Sequence, residues 1–498
     1  MKREKIENAL NEVSDSFIRE AAGAKTKPRL APWFGVVAAV LAAALIVGAL
    51  WQPGSALPKS TQHPSPTLTG TPTVPPQGAS VRSWQLCNKY ALSPVQYPQV
   101  CSYPLEDDFS AYKQWRSDQT ALHDQPEGYA DSLQVYFAKS IPLLLKNDGS
   151  NAVCSPLNIY MALAMLAETT AGESRQQILR LLNADSIEAL RTQAGQVWKA
   201  HYNDDGLSTS ILGSSLWVSD DYTCLRETAD MLAQHYYASV YSGDLGSEEM
   251  NERLRTWLSA HTGGLLDSYV DKVQLDPRTS LALVSTILYQ VQWVNFFSEK
   301  GNTESSFHGT AGDTTVVFMN ELLPYGPYYW GDHFGAVGLS LEDGSRMWLF
   351  LPDEGTTPEQ LMESGEVFSF LAQDHNSYEN RKNLMVNLSL PKFDISCELE
   401  LTQQLKALGI TDVFQMGIAD FSPLLQEKDG GFVSDVKHAA RVAVDEEGVT
   451  AAAYTIIMRA GAGMPPEEEM DFVLDRPFAF VIESQDGLPL FAGIVNQP

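Results

Sequence analysis

Residues 281–290, LALVSTILYQ, are a nearly unbroken apolar run with β-branched members. A strand of that kind belongs at the centre of a sheet covered on both faces. The chain must therefore build a layered core. Its 498 residues are 44% hydrophobic and 19% charged, enough to do so and incompatible with a wholly disordered chain. From about Gly128 onward helical and strand signals alternate irregularly, with no internal repeat at roughly 20–50 residues, which argues against solenoids and propellers. Residues 128–498 read as one large α+β domain.

Local signals inside that domain are specific. Ser155-Pro156 supplies an N-cap and a first-turn proline to a helix whose apolar residues Ile159, Ala162, Leu163 and Leu166 recur at helical spacing. Two apolar runs near the end, FAFVIE (478–483) and PLFAGIV (489–495), flank Asp486-Gly487 and predict a hairpin. Cys397 alternates with Phe393, Ile395 and Leu399, as a buried strand residue does.

The N-terminal quarter is organised differently. Residues 33–51, WFGVVAAVLAAALIVGALW, carry no charge, and as a helix they would reach about 28 Å, close to the thickness of a hydrocarbon core. Residues 1–32 hold seven basic and five acidic side chains, with the three nearest the apolar run all basic. A single-pass helix would leave that amphipathic segment in the cytoplasm and the long remainder outside; a cleaved signal peptide is the competing reading. Residues 52–80 are rich in Pro, Thr, Ser and Gly and predict an extended linker. Residues 81–127 read as an extension packed on the main domain, with Cys87 and Cys101 able to bridge if the region is extracellular.

Charge and motifs narrow the function. Lys and Arg number 34 against 62 Asp and Glu, a net charge of −28, the wrong sign for neutralising phosphates, so nucleic acid is not an expected partner. The five cysteines form no C-x-x-C pair, and no histidine stands at metal-ligand spacing from them. Neither a metal nor another cofactor is expected. The sequence contains no G-x-S-x-G, H-E-x-x-H, P-loop or G-x-G-x-x-G motif. An enzyme is not expected either.

What stands out instead is residues 445–470, DEEGVTAAAYTIIMRAGAGMPPEEEM. The segment begins as a strand from Arg441 to Glu447, passes Gly448, continues through small and β-branched residues, and ends in glycines and two prolines. It has the propensity of a strand and the look of an exposed loop. In an extended conformation Val449, Ala451, Ala453 and Thr455 share a small, largely apolar face, while Thr450, Ala452 and Tyr454 share the other. A mobile surface loop, a permanent edge strand, and a loop able to become a strand all satisfy this composition.

Several separated blocks then carry a resemblance: NAVCSPLNIYMALAMLAETTAGESRQQIL (151–179), LRTWLSAHTGG (254–264), LALVSTILYQVQWVNFF (281–297), LSLPKFDISCELELTQQLKALGITDVF (388–414), VKHAARVAVDEEGVTAAA (436–453), and FVLDRPFAFVIE with LPLFAGIVNQP at the end. Over about residues 128–498 the sequence resembles a serpin. The linker and apolar stretch resemble those of membrane-attached serpins of Gram-positive bacteria. The resemblance implies three β-sheets, eight or nine helices and a monomer whose reactive loop is offered as bait to serine proteases. The acylated, severed loop inserts as an extra strand into the large sheet. About fifteen inserted residues at ~3.3 Å each would carry the protease some 50 Å.

Carried over residue by residue, the resemblance places the hinge at Glu446, Gly448, Val449, Thr450 and Ala451 to Ala453, with Val449 where Thr or Ser is usual and Tyr454 where a small residue is usual. Ser155 and His438 match the polar cluster where the sheet opens. Asn158 stands there for a common serine and Ser285 for a frequent asparagine; Trp293 matches the tryptophan at the top of the sheet. The scissile bond is expected at Ala462-Gly463, with Met464 second, which suits an elastase-like or subtilisin-like protease. The alternative function is a serpin-fold binding or scaffold module whose loop is cut without trapping. Charged residues or proline facing inward in the hinge would favour it, and none is present.

Overall fold

The computed structural model describes residues 87–498 apart from 105–107, 147–148, 264–266, 272, 278, 428–430, 434–435, 450–465 and 467. The apolar stretch 33–51, the linker and the loop residues Thr450, Ala451, Ala452, Ala453, Ala462, Gly463 and Met464 lie outside the described residues.

The longer helices are α1 (Phe109–His123), α2 (Leu133–Leu144), α3 (Pro156–Thr169), α4 (Gly172–Leu181), α5 (Ile187–His201), α6 (Arg226–His235) and α7 (Glu248–His261). Helix α3 begins as its sequence dictates: the Ser155 side chain accepts the Asn158 N–H, and Pro156 occupies the first turn. Almost every residue of α3 is buried, so it forms the spine of the core.

Two sheets enclose that spine. The seven-stranded one runs in the order β11 (Phe393–Glu400), β12 (Lys437–Val444), β13 (Gly448–Val449), β5 (Leu281–Gln292), β3 (Thr209–Ser219) and β2 (Asn203–Asp204). Strand β4 (Ala238–Gly243) runs parallel to β3. As the apolar run requires, β5 is central and buried along nearly its whole length. Its inner side meets the main core. On the other side Ala282 and Val284 join a second cluster with Trp257 and Leu254 of α7. At Gly213 of β3 a Cβ would lie 2.8 Å from His261, so only glycine lets α7 lie this close.

The other sheet runs β1 (Ala152–Cys154), β16 (Pro489–Val495), β15 (Phe478–Glu483), β9 (Arg346–Pro352), β8 (Phe334–Ser340), β7 (Gly312–Trp330), β10 (Arg381–Pro391) and β14 (Glu469–Val473), with β6 (Thr303–Gly309) on β7. The expected C-terminal hairpin is β15–β16, turning at Gly487 with φ of 82°. Two of the three expected sheets are continuous here, because β7 is 19 residues long and hydrogen-bonds to β8 near one end and to β10 along much of its length.

Residues 87–123 pack on the body. Ser93 bridges Val240 of β4, Tyr97 stacks on Trp198, and Trp115 Nε1 donates to Asp205 at 3.0 Å. The bridge envisaged between Cys87 and Cys101 is not formed: both are free thiols. Cys87 is buried with Trp217 and Tyr241, while Cys101 is exposed and directs its thiol to Asp118. The expected single-pass membrane placement, with a cytoplasmic N-terminus and an extracellular domain, is also corrected. Among the described residues no helix is long and apolar enough to cross a membrane.

Candidate functional site

The site lies where β13 enters between β12 and β5. Among the described residues these strands are joined through β13, which pairs antiparallel with both: Val449 lies opposite Val444 of β12 and Val291 of β5, and Gly448 lies opposite Gln292. The chain reaches this position through a turn that the sequence reading carried on as strand to Glu447. Asp445 ends β12 because its carboxylate accepts the N–H groups of Glu447 (2.9 Å) and Gly448 (3.2 Å), closing an Asx-type turn. Asp at the first position and Gly at the fourth is the signal that marks it.

The hinge turn is held on several sides. Trp293 is buried and donates twice, from its indole Nε1 to Asp445 O at 2.9 Å and from its backbone N–H to Glu447 O at 3.0 Å. Phe297 N–H donates to Glu446 O at 3.1 Å. The Glu446 carboxylate pairs with Lys392 at 2.6 Å and accepts from the Asn302 amide. Burial pushes the Glu446 carboxyl up, but these contacts together outweigh it and hold the group below its ordinary value. Burial raises Asp445. Lys392, Asn302 and Phe297 were not singled out in the sequence, since contacts between residues this far apart in the chain leave no local pattern.

Below the hinge lies the polar cluster. Ser155 N–H donates to His438 Nε2 at 3.0 Å, so that nitrogen is the unprotonated one. Burial pushes the His438 imidazole down to about 3, and the ring is neutral at ordinary pH. Ser155, Asn158 and His438 are therefore brought together. Both polar atoms of the buried Asn158 amide lack a hydrogen-bond partner. Ser285 sits on β5 opposite Ser214 of β3, whose hydroxyl is likewise unpartnered. Such orphaned buried groups are costly and ask for an explanation.

Farther up β5, Tyr289 OH donates to Asp343 at 2.9 Å and lies 2.5 Å from Ser345 Oγ. Glu342 N–H donates to Gln292 O and Val294 N–H to Ser340 O, so the β8–β9 turn grips the top of β5. This anchorage, also absent from the sequence reading, leaves β12 and β5 attached to different parts of the body. No group of three or more His, Cys, Asp or Glu among the described residues is placed to hold a metal.

A large sheet in which a pinned hinge leads Gly448 and Val449 in between β12 and β5 defines a class of protein. The family model for serpins, serine protease inhibitors, matches residues 137–498. The chain belongs to the serpin family, a family of inhibitors rather than enzymes. It is 28% identical over 384 residues to putative serpin-Z6C of Oryza sativa subsp. japonica, covering 70% of this chain and 91% of that protein. It is 29% identical over 364 residues to plasminogen activator inhibitor 1 of Neovison vison, covering 70% and 87%. The crystal structure of a thermophilic serpin, tengpin, in the native state superposes with a TM-score of 0.66 at 24% identity, covering 75% of this chain and 95% of that one.

Proposed function

We propose that this serpin inhibits a serine protease by suicide trapping: the protease is acylated at the loop, and the severed loop inserts between β12 and β5 before the acyl bond is hydrolysed. The observation that carries this reading is the position of Gly448 and Val449, already paired as the top of a strand between those two.

Extending both pairings unchanged gives the register of the inserted strand. Ala451 falls between Val442 and Tyr289, and Ala453 between Ala440 and Ile287, all four of them buried. Small side chains suit those sites. Thr455 falls between His438 and Ser285, next to the cluster in which Asn158 has no partner. An inserting hydroxyl would bring a donor and acceptor to that place. Tyr454 falls opposite Thr286 on the other face, toward α7, where its bulk would press on the helix and slow the step.

The scissile bond in this reading is Ala462-Gly463, with Met464 second, and the target is an elastase-like or subtilisin-like protease. Incubation of the protein with such proteases followed by a denaturing gel tests it. A band at the summed mass of inhibitor and protease is expected. Clipped inhibitor alone, at every protease ratio, would reject trapping and leave the substrate-like scaffold reading.

A further inference from the structure

Three neighbouring strands of the sheet that holds the C-terminal hairpin reach one pole side by side: β9 ends at Pro352, β15 starts after Pro477, and β16 ends before Asn496. These residues, the turn at 353–357 and Thr310 between β6 and β7 enclose a cavity of about 550 Å³. Small molecules are bound in cavities of roughly 300–1,000 Å³. Its walls are rigid. Pro352, Pro358 and Pro477 line it with fixed apolar rings. Thr357 caps the short helix Pro358–Ser364 through a reciprocal pair of hydrogen bonds with Gln360, at 3.2 and 3.0 Å.

The polar groups of this lining are mainly acceptors. Asp353, Glu354 and Glu359 bring three carboxylates, and among the described residues none of them pairs with a lysine or arginine. Arg476 also lines the cavity, but its guanidinium donates to Pro352 O at 3.0 Å and lies 3.8 Å from Asp475. Asn496, a further lining residue, is only 1% exposed, and its Nδ2 donates to Ser150 O at 2.7 Å and to Glu359 at 2.8 Å. Its Oδ1 is buried with no partner among the described residues. Such an acceptor in a cavity wall asks for an N–H or O–H donor, and the carboxylates around it favour a positive one. A bare metal ion does not meet the demand, because no group of three or more His, Cys, Asp or Glu among the described residues is placed to hold it.

We infer that this cavity binds a small organic ammonium ion, its charge met by Asp353, Glu354 and Glu359 and its apolar body by Pro352, Pro358 and Pro477. The ammonium N–H groups supply the donors that the carboxylates and the Asn496 amide oxygen lack. Charge-assisted hydrogen bonds of this kind are the strong ones, and rigid walls lower the cost of ordering the site. The cavity lies at the ends of β9, β15 and β16 and not between β12 and β5, so the inference stands apart from the trapping reading. A bound amine ties the chain that returns from the loop, at Arg476 and Pro477, to the C-terminal strand at Asn496. It stabilises the folded chain by mass action.

Calorimetric titration of the intact full-length chain with benzylamine, at neutral pH and low salt, tests the assignment, with benzyl alcohol as the uncharged counterpart of similar shape. Saturable binding of benzylamine is expected, about tenfold or more tighter than that of the alcohol and weakening as salt is added. Two variants locate it. Glu359→Gln keeps an acceptor for Asn496 Nδ2 and removes the charge, while Asp353→Asn with Glu354→Gln removes the other two carboxylates; each is expected to weaken binding about tenfold. Glu468→Gln with Glu469→Gln removes two charges outside the cavity and is expected to leave binding unchanged. No saturable binding of benzylamine, equal binding of the alcohol, or undiminished binding in both cavity variants would each overturn the inference. So would equal weakening in the Glu468 and Glu469 variant, which would reduce the effect to general attraction of a cation to a chain of net charge −28. If one cavity variant melts early, the other decides alone.

Discussion

The indole Nε1 of Trp293 donates to the carbonyl oxygen of Asp445 at 2.9 Å, tying the residue that follows the end of β5 to the residue that turns the chain out of β12. The two strands between which the loop is proposed to insert are thus joined at the top by one side chain. Trp293→Phe keeps the ring packed against Phe297 and removes the donor. The variant is expected to lose about 1–2 kcal/mol of stability, read as a lower urea midpoint at unchanged slope. An unchanged midpoint would mean that the bond contributes nothing.

Ala451→Arg probes insertion itself. In the extended register this position falls against buried Val442 and Tyr289, where an unpaired guanidinium is strongly disfavoured. The variant is expected to be clipped with no trapped product on a denaturing gel, at a normal rate of cleavage. Trapping at the natural yield would show that the loop does not follow this path.

His438 makes stability depend on pH with a definite sign. Its folded value lies near 3, whereas an unfolded histidine titrates near ~6.5. Between those values the unfolded chain takes up a proton that the native one refuses. Its contribution is complete above pH ~6.5 and declines as pH falls toward 3, by at most about 1.4 kcal/mol per pH unit. His261 is also pushed down by burial, to about 4, so His438 carries only part of the slope. His438→Gln, which keeps an acceptor for Ser155 N–H, is expected to flatten the plot of urea midpoint against pH below ~6.5. A parallel plot would exclude His438 as a source.

Glu483 works in the opposite direction. Burial raises its carboxyl to about 7, even though Trp348 Nε1 donates to it at 2.7 Å. An unfolded glutamate ionises near ~4.3, so folding is disfavoured increasingly as pH climbs from there to about 7. Glu483→Gln, which can still accept from Trp348, is expected to melt higher than the natural protein at pH 8 and equally at pH 4. A lower melting temperature at pH 8 would show that the charge is stabilising after all.

These elements were unequally legible in the sequence. Strand β5 was readable because it is apolar on both faces, and the start of α3 because Ser155 and Pro156 signal a cap locally. The turn at Asp445 was overrun because strand propensity continues through Glu446, while the cue to stop is one carboxylate reaching two backbone N–H groups. Strand β7 carries Pro324 and Pro327, residues that ordinarily break strands, and it accommodates them near a register shift against Leu384 and Val386. The Cys87–Cys101 pairing rested on closeness in sequence, which does not fix closeness in space. The Lys392–Glu446 pair and the Tyr289–Asp343 bond join residues 54 positions apart, and no periodicity reports such contacts.

In the proposed insertion, Gly448 and Val449 of β13 bear on a question of fidelity. A polypeptide sliding between two neighbours can slip by one position, and each slip would turn every methyl outward and every bulky group inward. Val449, clasped by Val444 and Val291, would act in the proposed insertion as the first tooth of a zip whose following teeth mesh in one phase. In the proposed insertion the severed chain would enter between β12 and β5 already aligned, with no search for register.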